Sequence, residues 1–374
     1  MDLETTRLIN ISNLKNDIKP SLSAQKDVKK LGNILKFIIT SLFVFLILLL
    51  FLIILILKSK NFVIQYLEKR KIIKDLNYYI YLQNYFCDYI HSLYEKKIED
   101  ELILYNVSLR NTSFDMFLYK SGDYISNQIQ KNHYLNKNGT LNILSALQKF
   151  VNDNHIVNSR EVVMLDIGAH IGWYPTYLGS FKYTILAFEP LPINYYIIKK
   201  NYCRNNRDFF GDMSSLIIIN KGLYDTEKKC DYYKHIENNE KDIILCDNSK
   251  SGKITKDFEK INSVEMSTLN EFLQYIDNRN IALIRIDLDK EGEKALETGK
   301  HLFSQFHTPF IFVEFSKKSF TIRETSPKKF LQYFIDNGYQ ISINGFLSKN
   351  FITIEQIIKI NSDYINLYLT YIRK

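Results

Sequence analysis

With 374 residues, of which 46% are hydrophobic and 24% charged, the chain is long enough for one large α/β domain plus accessory segments. Its formal net charge of +8 is spread along the whole length without a basic stripe, so nucleic acid is not an expected partner. The four cysteines, Cys87, Cys203, Cys230 and Cys246, have neither CxxC spacing nor histidine pairs at ligand distance, so no metal site is expected; they suit disulfides or a reduced protein equally.

Residues 1–36 are polar and mixed in charge and read as a short disordered tail. Phe37 to Leu57 is a run of 21 residues without a charge. At about 1.5 Å per residue a helix of that length crosses a hydrocarbon core of roughly 30 Å. The long polar segment before it and Lys58-Ser59-Lys60 after it do not fit a cleaved signal peptide. Residues 37–57 are therefore expected to form a single transmembrane helix, with the lipid bilayer as partner. The flanking positive charges are close to balanced, and three N-x-[ST] sequons, at Asn106, Asn111 and Asn138, follow the run. This layout predicts a single-pass, type II protein of the endoplasmic reticulum or Golgi with its large domain in the lumen.

Residues 58–113 place Ile64, Leu67, Ile72 and Ile73 at helix-like spacing among Lys and Glu, which predicts a helical stem. From residue 114 to 374 helical stretches alternate with short β-branched runs at Val162–Ile167, Tyr183–Phe188, Ser215–Ile219, Ile281–Ile286 and Phe310–Phe315. Such alternation predicts a mainly parallel, doubly wound sheet with helices on both faces. The last block is expected to add a helix, a turn at Gly338 and a short strand pair around Asn344-Gly345.

The most informative passage runs from Glu161 to Pro190 and reads strand, glycine turn, helix, strand, acidic residue. Asp166 ends the first strand with an acceptor, Gly168 lets the backbone turn and approach a ligand, and Gly172 opens the following helix. Glu189 follows at the tip of the second strand, where a doubly wound fold presents a carboxylate to the free hydroxyls of a ribose. A dinucleotide oxidoreductase shares this grammar, but its G-x-G-x-x-G turn seats a pyrophosphate on a helix N-terminus. Here the pattern is D-x-G-x-x-x-G, with His170 in place of the middle glycine. The wider turn suits S-adenosylmethionine (AdoMet), which has no phosphate and whose sulfonium and ammonium favour a nearby Asp166.

At these residues the sequence resembles the FkbM family of AdoMet-dependent methyltransferases. The resemblance spans residues 114–340 and rests on six blocks in one order: LDIGAHIGWY, AFEPLPINYYIIKKN, NKGLYD, SVEMSTLNEFL, RIDLDKEGEKALETG and PFIFVEF. It implies a Rossmann-like class I methyltransferase sheet. It also implies a pocket for AdoMet lined by Asp166, Gly168, Ala169, Gly172 and Glu189, with Asn220, Gly222 and Asp225 around the adenine. The family commonly has Asn where His170 stands. Its usual I-D-V-E-G becomes Ile286-Asp287-Leu288-Asp289-Lys290 here, with Asp289 at the Glu position and Lys290 at the Gly position, which leaves open a protein that binds AdoMet without turnover.

Methyl transfer needs alignment, exclusion of water and removal of the acceptor's proton. Strand C-termini supply the candidate bases Asp287 and Asp289, with His170 beside them; a structural turn or helix cap explains the two aspartates equally well. Glu314, in an apolar strand, must be paired or functional, and Arg285 is the partner at hand. The family resemblance implies O-methylation of a hydroxyl-bearing acceptor. The anchor and its secretory address suggest a saccharide or glycoconjugate.

Overall fold

The computed structural model describes residues 99–208, 216–236, 242–246, 256–276, 280–287, 299, 307–317, 320, 326–362 and 364–372. The first elements are two antiparallel strands, β1 (Leu102–Leu109) and β2 (Thr112–Tyr119), joined through Arg110 and Asn111 with Arg110 at φ 55°. The helical stem expected to reach residue 113 thus gives way to a hairpin. Its two-residue turn aligns Leu109 with Thr112, and the strands bury Val107, Leu109, Phe114, Met116 and Leu118. Ile64, Leu67, Ile72 and Ile73 lie outside the described residues.

The main sheet begins with β3 (Val162–Ile167) and continues with β4 (Thr184–Phe188), β5 (Leu216–Ile219), β10 (Asn280–Ile286), β11 (Phe310–Ser316), β12 (Tyr339–Ser342) and β13 (Tyr364–Tyr371). Their spatial order is β12-β13-β11-β10-β3-β4-β5. The five strands from β11 to β5 are parallel, and β13 runs antiparallel between β11 and β12. All six residues of β3 are buried, as expected for a central parallel strand covered on both faces. Side-chain alternation divides them: Val162 and Met164 enter one core, Val163, Leu165 and Ile167 the other. The first core is closed by α2 (Lys137–Asp153), α3 (Trp173–Gly179), α4 (Pro192–Asp208) and the hairpin, the second by α5 (Pro327–Asp336) and α6 (Ile354–Lys359). The chain winds outward from β3 through β4 to β5 and returns to β10 on the other side. The C-terminal ends of β3 and β10 therefore flank a topological switch point, where such sheets bind ligands.

Two features frame that end of the sheet. On α4, Asn201 and Asn205 treat β2 as a neighbouring strand would. Asn201 accepts from the Phe117 N–H at 2.6 Å and donates to the Phe117 carbonyl at 3.3 Å; Asn205 does the same with Asp115 at 3.0 and 2.7 Å. A second sheet, of order β6-β9-β7-β8, is inserted between β5 and β10 and comprises β6 (Gly222–Leu223), β7 (Lys228–His235), β8 (Ile243–Leu245) and β9 (Phe258–Ser267). Its hairpin carries a Cys230–Cys246 disulfide. Closing a loop of this size restricts the unfolded chain by about 3 kcal/mol.

Two expectations are corrected. No tight strand pair forms at Asn344-Gly345: β12 pairs with β13, and α6 lies between them because Ile354 and Ile357 are buried in the second core. The single-pass, lumenal placement is not supported either. Among the described residues no helix is long and apolar enough to cross a membrane, and the run 37–57 that carried the expectation lies outside them.

Candidate active site

Above the switch point lies a cavity of about 1190 Å³. Its floor is the turn between β3 and α3. Gly168 stands at φ 86° and Gly172 at φ 85°, backbone that a side chain disfavours. At Gly168 a Cβ would collide with the carbonyl oxygen of Asp287, so the ends of β3 and β10 touch only because the side chain is missing. Gly168 and Ala169 donate to the Phe188 carbonyl at 3.1 and 3.0 Å, which fastens the turn to β4, and both border the cavity. Gly172 packs against Ile198 and caps α3.

Glu189 borders the cavity at the tip of β4 and is 4% exposed. Its carboxylate accepts from the His170 N–H at 2.8 Å, the Leu191 N–H at 3.0 Å and Asn194 Nδ2 at 3.3 Å. Burial pushes its pKa up against these bonds and the nearby His170. A carboxylate offers about four acceptor positions, so one remains for a ligand hydroxyl. Both ribose hydroxyls were expected there; the protein itself occupies most of that capacity.

Arg285 on β10 organises the other side. It donates to Asp166 at 2.9 Å, to the Gly168 carbonyl at 2.8 Å, to Asp287 at 2.6 Å and to Glu314, and it lies over the Tyr174 ring at 4.5 Å. Glu314 also accepts from Asn136 at 2.9 Å and the Tyr174 hydroxyl at 3.0 Å. Burial raises the Glu314 pKa, but the guanidinium together with the bonds from Asn136 and Tyr174 holds the carboxyl below the usual range. One guanidinium cannot neutralise three carboxylates. Asp166, fully buried with one oxygen unpartnered, keeps a raised pKa because burial outweighs Arg285. Asp166 does not border the cavity but supports Arg285 from below, whereas Asp287 and Glu314 do border it.

His170 occupies a left-handed position at φ 53°. Its side chain is 36% exposed, its Nε2 lies 3.2 Å from Asp123 Oδ1, and its Nδ1 is buried with no hydrogen-bond partner among the described residues. Burial lowers its pKa, but the carboxylates of Asp123, Glu189 and Asp287 together raise it, and the net shift is upward. The remaining expected residues serve more local roles. Asn220 donates to the carbonyls of Glu189 and Pro190 at 2.9 and 3.1 Å, Gly222 borders the cavity with Met266 where a side chain would stand, and Asp225 accepts from Thr226 outside it. Asp289 lies outside the described residues. Two members of the site were not anticipated: Asp123, at the N-cap of α1 (Tyr124–Asn132), and Asn136, at the N-cap of α2. The only sequence signal for either is a helix-capping residue type.

Residues 166–341 match the family model described as the methyltransferase FkbM domain, from Asp166 at the end of β3 through β12. This stretch, just under half of the chain, is similar to an FkbM methyltransferase domain. No curated protein matches the sequence. Similar solved structures include an FkbM methyltransferase from Methylobacillus flagellatus, at 15% identity and a TM-score of 0.35, with 67% of this chain covering 60% of that one. The magnesium protoporphyrin IX methyltransferase of Synechocystis, solved with bound AdoMet, is 10% identical over 67% of this chain and 86% of its own, at a TM-score of 0.34. An rRNA methylase from Streptococcus thermophilus is 10% identical over 62% and 95%, at 0.31. The FkbM family uses AdoMet, and the cavity described above fits that donor. Glu189, Asp287 and Glu314 set a negative lining against a cationic sulfonium and ammonium, Glu189 keeps an acceptor position for a ribose hydroxyl, and the Gly168 turn leaves the approach free of a Cβ.

Proposed function

We propose that this FkbM domain O-methylates a hydroxyl of a saccharide-bearing or comparably polar small acceptor. The observation that carries the reading is the placement of Asp287. It ends β10 at the switch point, borders the cavity and is held by Arg285, while its side chain remains 29% exposed to whatever enters. Bound AdoMet supplies a methyl group activated by positive sulfur. The chain supplies the rest. Glu189 orients the ribose, the cavity excludes water, and Asp287 takes the acceptor's proton as the oxygen attacks. Asp287 shares Arg285 with Glu314, but Glu314 is engaged by three donors and only 18% exposed while Asp287 keeps an exposed face toward the cavity, and His170 is drawn toward its protonated form by the carboxylates around it. Tyr124, Gln128, Tyr364 and Asn366 also border the cavity and offer the aromatic and amide surface on which sugars rest.

The test is titration of the full chain with AdoMet, then a screen of hydroxyl acceptors for S-adenosylhomocysteine release. Asp287→Asn should keep AdoMet affinity within about twofold and lower turnover by about 100-fold, the usual worth of a general base. Turnover unchanged in that variant would remove Asp287 from the chemistry. Binding with no turnover on any acceptor would favour a silent AdoMet-binding protein.

A further inference from the structure

Three residues that precede the matched stretch 166–341 reach three groups around the cavity. Asp123 meets His170, Asn136 donates to Glu314, and Tyr119, the last residue of β2, reaches Glu189 through an intermediary. The Tyr119 hydroxyl donates to Asn194 Oδ1 at 2.8 Å, and Asn194 Nδ2 donates in turn to Glu189 Oε1 at 3.3 Å. Asn194 stands in the first turn of α4 and is 3% exposed; Tyr119 and Asn194 border the cavity with Glu189. The backbone of Tyr119 is itself held by α1: its N–H donates to Ser126 Oγ at 3.0 Å, and its carbonyl accepts from Gln130 Nε2 at 2.8 Å.

An amide offers donors at one end and an acceptor at the other. Beside a carboxylate it has one favourable orientation, because reversal would set its carbonyl against another acceptor. That orientation turns Oδ1 toward the hairpin, where Tyr119 supplies the donor it needs. With phenylalanine there, the carbonyl of a buried amide would lose this donor, and the amide would be drawn out of line with Glu189 to recover one. The relay also decides which oxygen of Glu189 stays open. Oε1 accepts from both the Leu191 N–H and Asn194 Nδ2, whereas Oε2 accepts from the His170 N–H alone. With about two acceptor positions on each oxygen, the open one lies on Oε2, beside the glycine turn.

We propose that Tyr119 is a positioning residue for donor recognition: through Asn194 it fixes the Glu189 carboxylate so that Oε2 accepts one ribose hydroxyl of AdoMet. This inference rests on the reading that Glu189 holds the ribose. It adds that the hairpin, which lies outside the matched stretch, sets how firmly that hydroxyl is held.

The experiment is calorimetric titration of the full chain with S-adenosylhomocysteine and with its 2′-deoxy and 3′-deoxy counterparts. The quantity read is the ratio of Kd between each deoxy probe and the parent, in which a general loosening of the fold cancels. For the wild type the larger of the two ratios should be about tenfold, the worth of one hydrogen bond to a charged acceptor. Tyr119→Phe keeps the ring; it should bring that ratio down to about threefold, weakening the parent and sparing the deoxy probe. Asn194→Ala breaks the relay at its other link and should lower the ratio at least as far, and the double variant no further than Asn194→Ala alone, since links in series fail together. Tyr105→Phe is the control for loosening of the hairpin: its hydroxyl ties β1 to α1 through the Gln130 carbonyl at 2.7 Å, away from the cavity lining, and the ratio should stay at the wild-type value. An unchanged ratio in Tyr119→Phe or Asn194→Ala, a further drop in the double variant, or an equal drop in Tyr105→Phe would overturn the proposal. A wild type that binds the parent but distinguishes neither deoxy probe would overturn the ribose role of Glu189, and one that binds none of the three the AdoMet reading itself.

Discussion

Gly168→Ala tests the contact on which the cavity floor depends. At φ 86° an alanine costs about 1–2 kcal/mol in backbone energy alone. The added Cβ would also run into the carbonyl oxygen of Asp287 and lie 3.3 Å from its carbonyl carbon, inside the normal separation of about 3.5–4 Å. The neighbour is backbone, anchored by the Asp287 N–H donating to the Ile167 carbonyl at 2.9 Å, so relief requires the end of β10 to retreat. Crowding of this kind adds about 1–3 kcal/mol. The sum is about 3 kcal/mol, which for a domain of this size lowers Tm by roughly 6–12 °C. The retreat also shifts the Gly168 turn that floors the cavity, so AdoMet affinity should fall about tenfold, the effect of one misplaced interaction. The assay is thermal unfolding by circular dichroism, with calorimetric titration of AdoMet. Gly338→Ala is the control: it shares the unfavourable backbone at φ 88°, but its nearest neighbour is the edge of the Tyr371 ring, which can swing away. It should cost only the backbone share and leave AdoMet binding intact. If the two variants behave alike, the β3–β10 contact does not shape the site.

Two further outcomes follow from the same geometry. Arg285→Met removes the cation that serves Asp166, Asp287 and Glu314 and should destabilise the fold by about 3–5 kcal/mol in urea unfolding; pairing it with Glu314→Gln should recover part of that loss, and strict additivity would contradict a shared network. Asn201→Ala strips the Phe117 N–H and carbonyl of their partner and should cost about 1–3 kcal/mol, with faster amide exchange at Phe117; unchanged protection there would show that the amide does not hold the strand.

The central strands were legible because a parallel strand buried on both faces must be a near-continuous apolar run: Val162–Ile167, Ile281–Ile286 and Phe310–Phe315 announce themselves in this way, each broken by a single charged residue, Asp166, Arg285 and Glu314. The Glu314–Arg285 pairing was legible for a related reason, since a carboxylate in such a run demands a counter-charge. The hairpin was misread as helical stem because Ile, Leu and Tyr interleaved with polar residues over a short stretch satisfy both periods, and the Arg110-Asn111 turn lacks glycine. Asp123 and Asn136 escaped notice because their meaning is tertiary. Each is an ordinary capping residue in the chain and reaches the site only once α1 and α2 are packed against the sheet. The shared duty of Asp166 was hidden as well: proximity to the glycine turn suggested a ligand contact, while the fold turns the side chain inward to Arg285.

The amides of Asn201 and Asn205 have a consequence for association between molecules. They fill part of the bonding row along β2 with side chains, and a side-chain patch cannot be copied indefinitely as a β ladder can. A second chain arriving at that margin finds the N–H and carbonyl groups of Asp115 and Phe117 already answered by a helix. The hairpin, whose last residue Tyr119 borders the cavity, thereby has little to offer as a template for fibre growth.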